Sequence, residues 1–279
     1  MTKTTSAIEG IDGITYSTDR WDETRRFFSD WGLKAVSIDA ACQVWETLNG
    51  ARVEVRRPDD ASLAPPMEAG PTMRAVTWGV TDTKALEPIA KALQSAPGFD
   101  DRRALDGTLV AQDPHGLGLV FQVSTKRHVD VVGVASNPWG DVRRIDTPSP
   151  VYDHAEPVEI GHVVFFTDRL DAMEVFYASL GFITSDRYPG RGVFMRCAPD
   201  AGHHDIFLLA LPNKGPGVNH VAFTVRDVHE VFGGGLHMSR CGWKTQLGPG
   251  RHPISSAFFW YFENPCGGLV EYNADEDHL

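Results

Sequence analysis

Residues 251–272, RHPISSAFFWYFENPCGGLVEY, concentrate the side chains able to do chemistry. The segment reads as a strand over 256–262, a tight turn on Asn264-Pro265-Cys266-Gly267-Gly268, and a second strand over 269–272. Aromatic and β-branched residues bounded by Pro and Gly give the hairpin pattern. Glu271 interrupts the apolar second strand, Tyr261 lies ten residues earlier on its partner, and His252 stands in the loop that feeds the hairpin. A carboxylate at a core-facing position is costly unless a cation satisfies it, and a metal ion is the cation these neighbours suggest.

Self-similarity indicates where further ligands come from. Residues 13–33, GITYSTDRWDETRRFFSDWGL, and 162–182, HVVFFTDRLDAMEVFYASLGF, share Thr-Asp-Arg, a Phe (27 and 176) and a Gly (32 and 181) at a constant offset of 149 residues. Each copy predicts a strand, an amphipathic helix and a glycine stop. A second echo joins residues 75–80, AVTWGV, to 220–225, HVAFTV, and each half closes on a similar turn, Asp113-Pro114-His115-Gly116 and Asn264-Pro265-Cys266-Gly267. The chain therefore divides into four units of about 50–60 residues, each a strand and helix followed by several strands. They pair into two domains, 1–145 and 150–279, joined through the Pro-rich stretch 137–157. The connector 58–71, PDDASLAPPMEAGP, reads as a flexible loop.

The repeat also permits a comparison within the chain. His162, His220 and Glu271 stand in the second half where the first half has Gly13, Ala75 and Val120, none of which binds metal. His162 and His220 open equivalent strands, so pairing of the units brings both rings to one cavity. Two imidazoles and one carboxylate on one face suit non-haem Fe(II), although zinc, manganese or nickel could take the same ligands. His204, opening an apolar strand, together with His252 and Tyr261 completes a set able to move protons at a bound phenol; His203 is the rival for His204. The histidines at 115, 128, 154, 229, 237 and 278 read as surface residues.

Composition narrows the class. With 42% hydrophobic and 23% charged residues, the chain can bury a globular core. A formal net charge of −11 argues against nucleic-acid and anionic-membrane partners. No apolar run approaches the ~20 residues of a membrane span, and the first residues, MTKTTSAIEGIDG, lack the apolar region of a signal peptide, so a cytoplasmic protein is expected. Cys42, Cys197, Cys241 and Cys266 are scattered with no CxxC spacing, which suits reduced thiols and argues against a zinc-thiolate site.

At these residues the chain resembles the type I extradiol ring-cleavage dioxygenases of the vicinal oxygen chelate (glyoxalase/bleomycin resistance/dioxygenase) superfamily. GHVVFF with His162, HHDIFL with His204, NHVAF with His220, GRHPISSAFFWY with His252 and Tyr261, and GGLVEY with Glu271 fall in the family's order. The resemblance implies an α+β fold of two domains, each a pair of βαβββ modules, with the metal site in the C-terminal domain only. It further implies Fe(II), or Mn(II), on His162, His220 and Glu271, a catechol-type substrate and O₂ as partners, and a homo-oligomer. His204, His252 and Tyr261 would be the catalytic acid–base groups. Two other activities remain open at this stage, a non-oxidative metal-dependent lyase or isomerase and a hydroquinone-cleaving dioxygenase. Homoprotocatechuate-type members carry an Asn where this chain has Val164, and a Trp before the His204 motif that is absent here. The chain ends soon after Glu271, implying either a more open pocket or a sequence that stops short. Pocket walls are expected from Phe194, Met195, Phe207 and Phe259.

Overall fold

A computed structural model describes residues 7–279; the first six residues, part of the stretch read as lacking a signal peptide, lie outside it. Four units follow one another, each a strand, a helix and three further strands. The first comprises β1 (Ile8–Ser17), α1 (Trp21–Asp30), β2 (Lys34–Ile38), β3 (Cys42–Glu46) and β4 (Arg52–Arg56). The second comprises β5 (Thr72–Val80), α2 (Leu86–Leu93), β6 (Asp100–Arg102), β7 (Thr108–Gln112) and β8 (Gly118–Val123). The third comprises β9 (Glu159–Phe166), α3 (Leu170–Ser179), β10 (Ile183–Tyr188), β11 (Gly192–Arg196) and β12 (Ile206–Leu209). The last comprises β13 (Gly217–Thr224), α4 (Val228–Arg240), β14 (Thr245–Arg251), β15 (Phe258–Glu263) and β16 (Leu269–Ala274).

Among the described residues these strands form two eight-stranded sheets of identical plan, β2-β3-β4-β1-β5-β8-β7-β6 and β10-β11-β12-β9-β13-β16-β15-β14. The first strands of paired units run antiparallel at the centre of each sheet, and each pairs in parallel with the last strand of its own unit. The parallel pairing is possible because the helix of each unit lies between the two strands in sequence and covers the crossover. This is the expected two-domain α+β fold of paired βαβββ modules.

The helices are held by the sequence patterns that predict them. In α1 the buried residues Thr24, Phe27 and Phe28, with Trp31 just beyond, fall at i, i+3, i+4 and i+7, and Leu86, Ile89, Ala90 and Leu93 repeat that spacing in α2. Helix α4 contains three consecutive glycines, each costing about 1 kcal/mol of helix propensity relative to alanine. Close packing explains them: a Cβ at Gly235 would lie 2.0 Å from the Trp260 ring, and one at Gly234 would lie 2.8 Å from that of Tyr272.

The halves exchange contacts. Helix α1 of the first half packs on the second sheet, with Trp31 stacked on Tyr272 at 3.6 Å between ring centroids and the Tyr272 hydroxyl donating to Trp31 O at 2.9 Å. On the other side of the molecular pseudo-dyad, Phe182 meets Trp78 at 4.9 Å, and the Tyr177 hydroxyl donates to Asp113 Oδ2 at 3.1 Å. Trp31 is fully buried, so Trp31→Ala is expected to cost about 3–5 kcal/mol of stability in urea unfolding. The connector 58–71 is fixed rather than free at its second end, where Glu68 Oε1 accepts from Val218 N at 2.8 Å.

Asp113 gives this interface a pH dependence. Burial raises its pKa to about 6, against the opposing pull of the amides of His115 and Leu117 and the Tyr177 hydroxyl. The folded chain therefore holds this proton more tightly than the unfolded chain, whose Asp titrates near 3.9. The group's contribution to stability is greatest below about pH 4 and is lost as pH rises through about 6. Asp113→Asn keeps an oxygen for the two amides. Relative to wild type it should gain on the order of 2 kcal/mol between pH 4 and 7, read as the difference of two urea-melt series.

Candidate metal centre

Ladder register places the predicted ligands side by side. His162 on β9 is paired with Ala222 on β13, and Ala222 is paired with Glu271 on β16. Directly opposed residues share a face of the sheet, so His162, Glu271 and, two residues from Ala222, His220 project to the same side. Register breaks in the β9–β13 ladder flank the His220–Ala222 stretch. In the first sheet the same chain of partners runs Gly13–Thr77–Val120, so the within-chain comparison matches positions that are structurally equivalent. Ala222 escaped the sequence reading: its small side chain, at the centre of the three, leaves room for their donor atoms to converge.

That convergence is close. His162 Nε2 lies 3.2 Å from His220 Nε2, and Glu271 Oε2 lies 3.3 Å and 3.1 Å from those two nitrogens. Glu271 is fully buried, and its Oε2 has no hydrogen-bond partner despite both contacts. A buried carboxylate oxygen with that deficit needs a cation. Three donors spaced about 3 Å apart suit one ion bound at roughly 2.1 Å from each, so the residues present fit a metal.

Outer contacts orient the ligands. His220 Nδ1 meets Asn219 Oδ1 at 2.5 Å, which fixes the tautomer whose Nε2 lone pair faces the other donors. The Asn273 amide sits 3.5 Å from His162 Nδ1 with its Oδ1 buried and unpartnered, so an amide turned over would do the same for that ring. Glu271 Oε1 lies 3.3 Å from His252 Nε2, which is also 3.0 Å from the Tyr261 hydroxyl. Tyr261 is the ladder partner of Glu271 on β15. Burial alone would push the Glu271 carboxyl up, but the imidazoles of His162, His220 and His252 hold it well below the ordinary carboxylate range. Burial, aided by the Glu271 charge, keeps the Tyr261 phenol protonated well above its ordinary value.

A cavity of about 200 Å³ opens over the three donors. His162, His204, His220, His252 and Tyr261 line it, with the His204 ring 4.1 Å from that of His162 and the Tyr261 ring 5.0 Å from that of His220. Burial, then the neighbouring His162, hold His204 well below the ordinary histidine range, so its ring is neutral and able to accept a proton. His203 is buried but outside this cavity, with its Nδ1 3.2 Å from His204 Nδ1. Of the expected walls, Phe194 and Phe207 line the cavity, joined by Val164, Tyr188 and Ile254. Met195 does not, because strand alternation turns it from Phe194 into the core. Phe259 stacks behind His252 at 4.1 Å instead of facing the cavity.

Two groups were missed. Glu276 Oε1 lies 3.0 Å from His204 Nδ1, and burial raises the Glu276 pKa to about 7. In sequence it sits in the acidic stretch DED, which looks like a solvated end. Backbone contacts from Asp277 to Ser255 and from Leu279 to Ala201 carry that stretch across the loops that bear His252 and His204. His115, read as a surface residue, has a side chain only 1% exposed and holds Thr167 Oγ1 at 2.7 Å across the interface.

Residues 159–272 match the Glyoxalase/Bleomycin resistance protein/Dioxygenase superfamily. That match lies in the second half of the chain and covers less than half of its length. The chain is similar to metapyrocatechase 2 of Cupriavidus necator, 34% identical over 125 residues, a match spanning 44% of this chain and only 38% of that protein. The two-domain fold recurs in solved structures. A Mn(II)-bound glyoxalase from Novosphingobium aromaticivorans superposes with a TM-score of 0.72 at 23% identity, covering 98% of this chain and 84% of its own. A 2,3-dioxygenase from Pseudomonas sp. KL28 gives 0.71 at 18%, covering 98% and 94%. Homoprotocatechuate 2,3-dioxygenase from Arthrobacter globiformis gives 0.70 at 20%, covering 100% and 83%. Among the described residues no helix is long and apolar enough to cross a membrane.

Proposed function

We propose that this chain is an extradiol dioxygenase that opens the ring of a catechol-type aromatic with O₂. Its metal is Fe(II), with Mn(II) as the substitute, held by His162, His220 and Glu271 in a catalytic domain over 150–279. The domain over 1–145 supplies none of these three ligands and packs against it. The observation carrying this reading is the placement of His204, His252 and Tyr261 around the three donors in one largely apolar cavity. Acid–base groups beside a metal suit a diphenol, whose hydroxyl protons must move as the ring opens. The similarity to metapyrocatechase 2 supports the same reading.

Fe(II) bound there supplies Lewis acidity toward the catechol oxygens and the electron transfers that let O₂ react with the ring. The protein's part is proton handling and orientation. His252, within 3.0 Å of the Tyr261 hydroxyl, is placed to take a proton from a substrate hydroxyl and share it with the phenol. His204, neutral and lining the same cavity, is placed to take and return a proton, with Glu276 behind its Nδ1. Phe194 and Phe207, stacked at 3.9 Å, offer a flat apolar wall to an aromatic ring. Val164 puts a methyl surface, with no polar group, at the position where homoprotocatechuate-type relatives have an Asn, so the preferred ring carries an apolar substituent or none. In the overall reaction both atoms of O₂ enter the product as the ring C–C bond beside the diol breaks, giving a muconic semialdehyde-type acid. We further infer a cytoplasmic homo-oligomer.

Anaerobic Fe(II) reconstitution followed by O₂ uptake with a panel of catechols tests this. One O₂ consumed per yellow ring-fission product, dependent on Fe(II), is the expected result. Protein with stoichiometric metal but neither uptake nor colour would direct the assignment to a non-oxidative lyase or isomerase, or to hydroquinones.

A further inference from the structure

Far from the cavity, the two halves bring together a second set of metal-ligating side chains. Asp30 ends α1 of the first half, while His237 and Cys241, four residues apart, occupy the last turn and cap of α4 in the second. Each offers one donor atom, and these atoms all lie within 4.8 Å of one another, with His237 Nε2 3.5 Å from Cys241 Sγ. We propose that Asp30, His237 and Cys241 form a zinc-type metal site that clips α1 to α4 across the interface between the halves.

Three independent features point to a cation here. The first is donor chemistry: a thiolate, an imidazole and a carboxylate form the ligand set of tetrahedral Zn(II), with a fourth position left for water. All three residues are partly exposed, so an ion and its water have access. The second is the backbone field. Both helices end at this point, and the negative end of a helix dipole favours a cation. The third is orientation from outside the set: Trp243 Nε1 donates to Asp30 Oδ2 at 2.8 Å and fixes the carboxylate. The two nearby guanidinium groups are otherwise engaged. Arg26 stacks on the Trp243 ring at 4.2 Å, and Arg240 donates to Asp153 O at 3.0 Å. Burial and the Asp30 carboxylate raise the Cys241 thiol pKa, Arg26 and Arg240 oppose this only in part, and a bound ion would displace the thiol proton. The scattered cysteines gave no hint of this site, because Asp30 lies more than 200 residues before His237 and Cys241 and meets them only in the fold.

The site is silent toward the cavity triad, which contains no sulfur, so a thiolate signal separates the two. Anaerobic titration of the whole protein with Co(II) is expected to give one equivalent of thiolate-to-cobalt charge-transfer absorption in the near ultraviolet. The band should persist in Glu271→Ala and Cys42→Ser, disappear in Cys241→Ser, and require at least tenfold more Co(II) in Asp30→Asn. Zn(II) should compete it away and raise the melting temperature of Glu271→Ala, in which the cavity ligand set is broken, but not of the double variant Glu271→Ala/Cys241→Ser. Absence of the band, its survival in Cys241→Ser, or an unchanged titration in Asp30→Asn would each overturn the site. Far-ultraviolet circular dichroism checks that every variant is folded. Because the signal does not depend on catechol turnover, its loss leaves the proposed activity untouched, and the converse also holds.

Discussion

Glu271→Ala is expected to abolish stoichiometric Fe(II) binding and, with it, O₂ uptake. The carboxylate is the one anionic donor of the three, and its Oε2 lies 3.1–3.3 Å from both imidazole Nε2 atoms. Removing it leaves two neutral rings facing a small void in a fully buried site. Loss of an outer-sphere partner alone typically costs 10–100-fold in metal affinity, so loss of this donor should exceed about 100-fold. Metal analysis after gel filtration, at protein concentrations well above the wild-type Kd, reads the effect directly. The substitution also releases His252 Nε2 from its 3.3 Å contact with Oε1, so the unfolding free energy should be measured alongside. Iron retained at one equivalent, with turnover, would remove Glu271 from the ligand set.

His204→Phe should do the opposite, keeping the iron while removing the chemistry. Phenylalanine preserves the ring that lies 4.1 Å from His162 and 5.0 Å from Phe194, so cavity shape and ligand packing persist. What disappears is the nitrogen able to take and return a proton. General acid–base groups contribute about 10²–10⁴-fold, so kcat should fall by that factor, with KM for the catechol changed much less. His203→Phe is the internal control. That ring is buried outside the cavity, and its loss should change kcat by less than tenfold. A fall in kcat for His203→Phe as large as that for His204→Phe would transfer the role to the neighbour.

The fold was largely legible in the chain. A repeat at constant offset, helices marked by apolar residues at i, i+3, i+4 and i+7, and turns marked by Pro and Gly all reflect local physics. Backbone propensity and periodic burial act over a few residues and therefore leave a readable trace. The same periodicity accounts for the ligand positions. Because Glu271 breaks an apolar strand, and because His162 and His220 stand at equivalent repeat positions, their convergence follows from strand alternation and pseudo-symmetric pairing.

What tertiary structure alone decided has a different physical character. Met195 and Phe259 failed as cavity walls, and Val164, Tyr188 and Ile254 took their place, because a wall depends on which face of a curved sheet a residue occupies. Glu276 looked like a solvated acid until the terminal segment crossed the loops bearing His204 and His252. Asp30, His237 and Cys241 meet because α1 packs on the opposite half. Sequence by itself determined the elements and singled out His162, His220 and Glu271 as candidates, since those rest on local pattern. The neighbours of each donor were decided only by long-range packing between the halves, which no local spacing encodes.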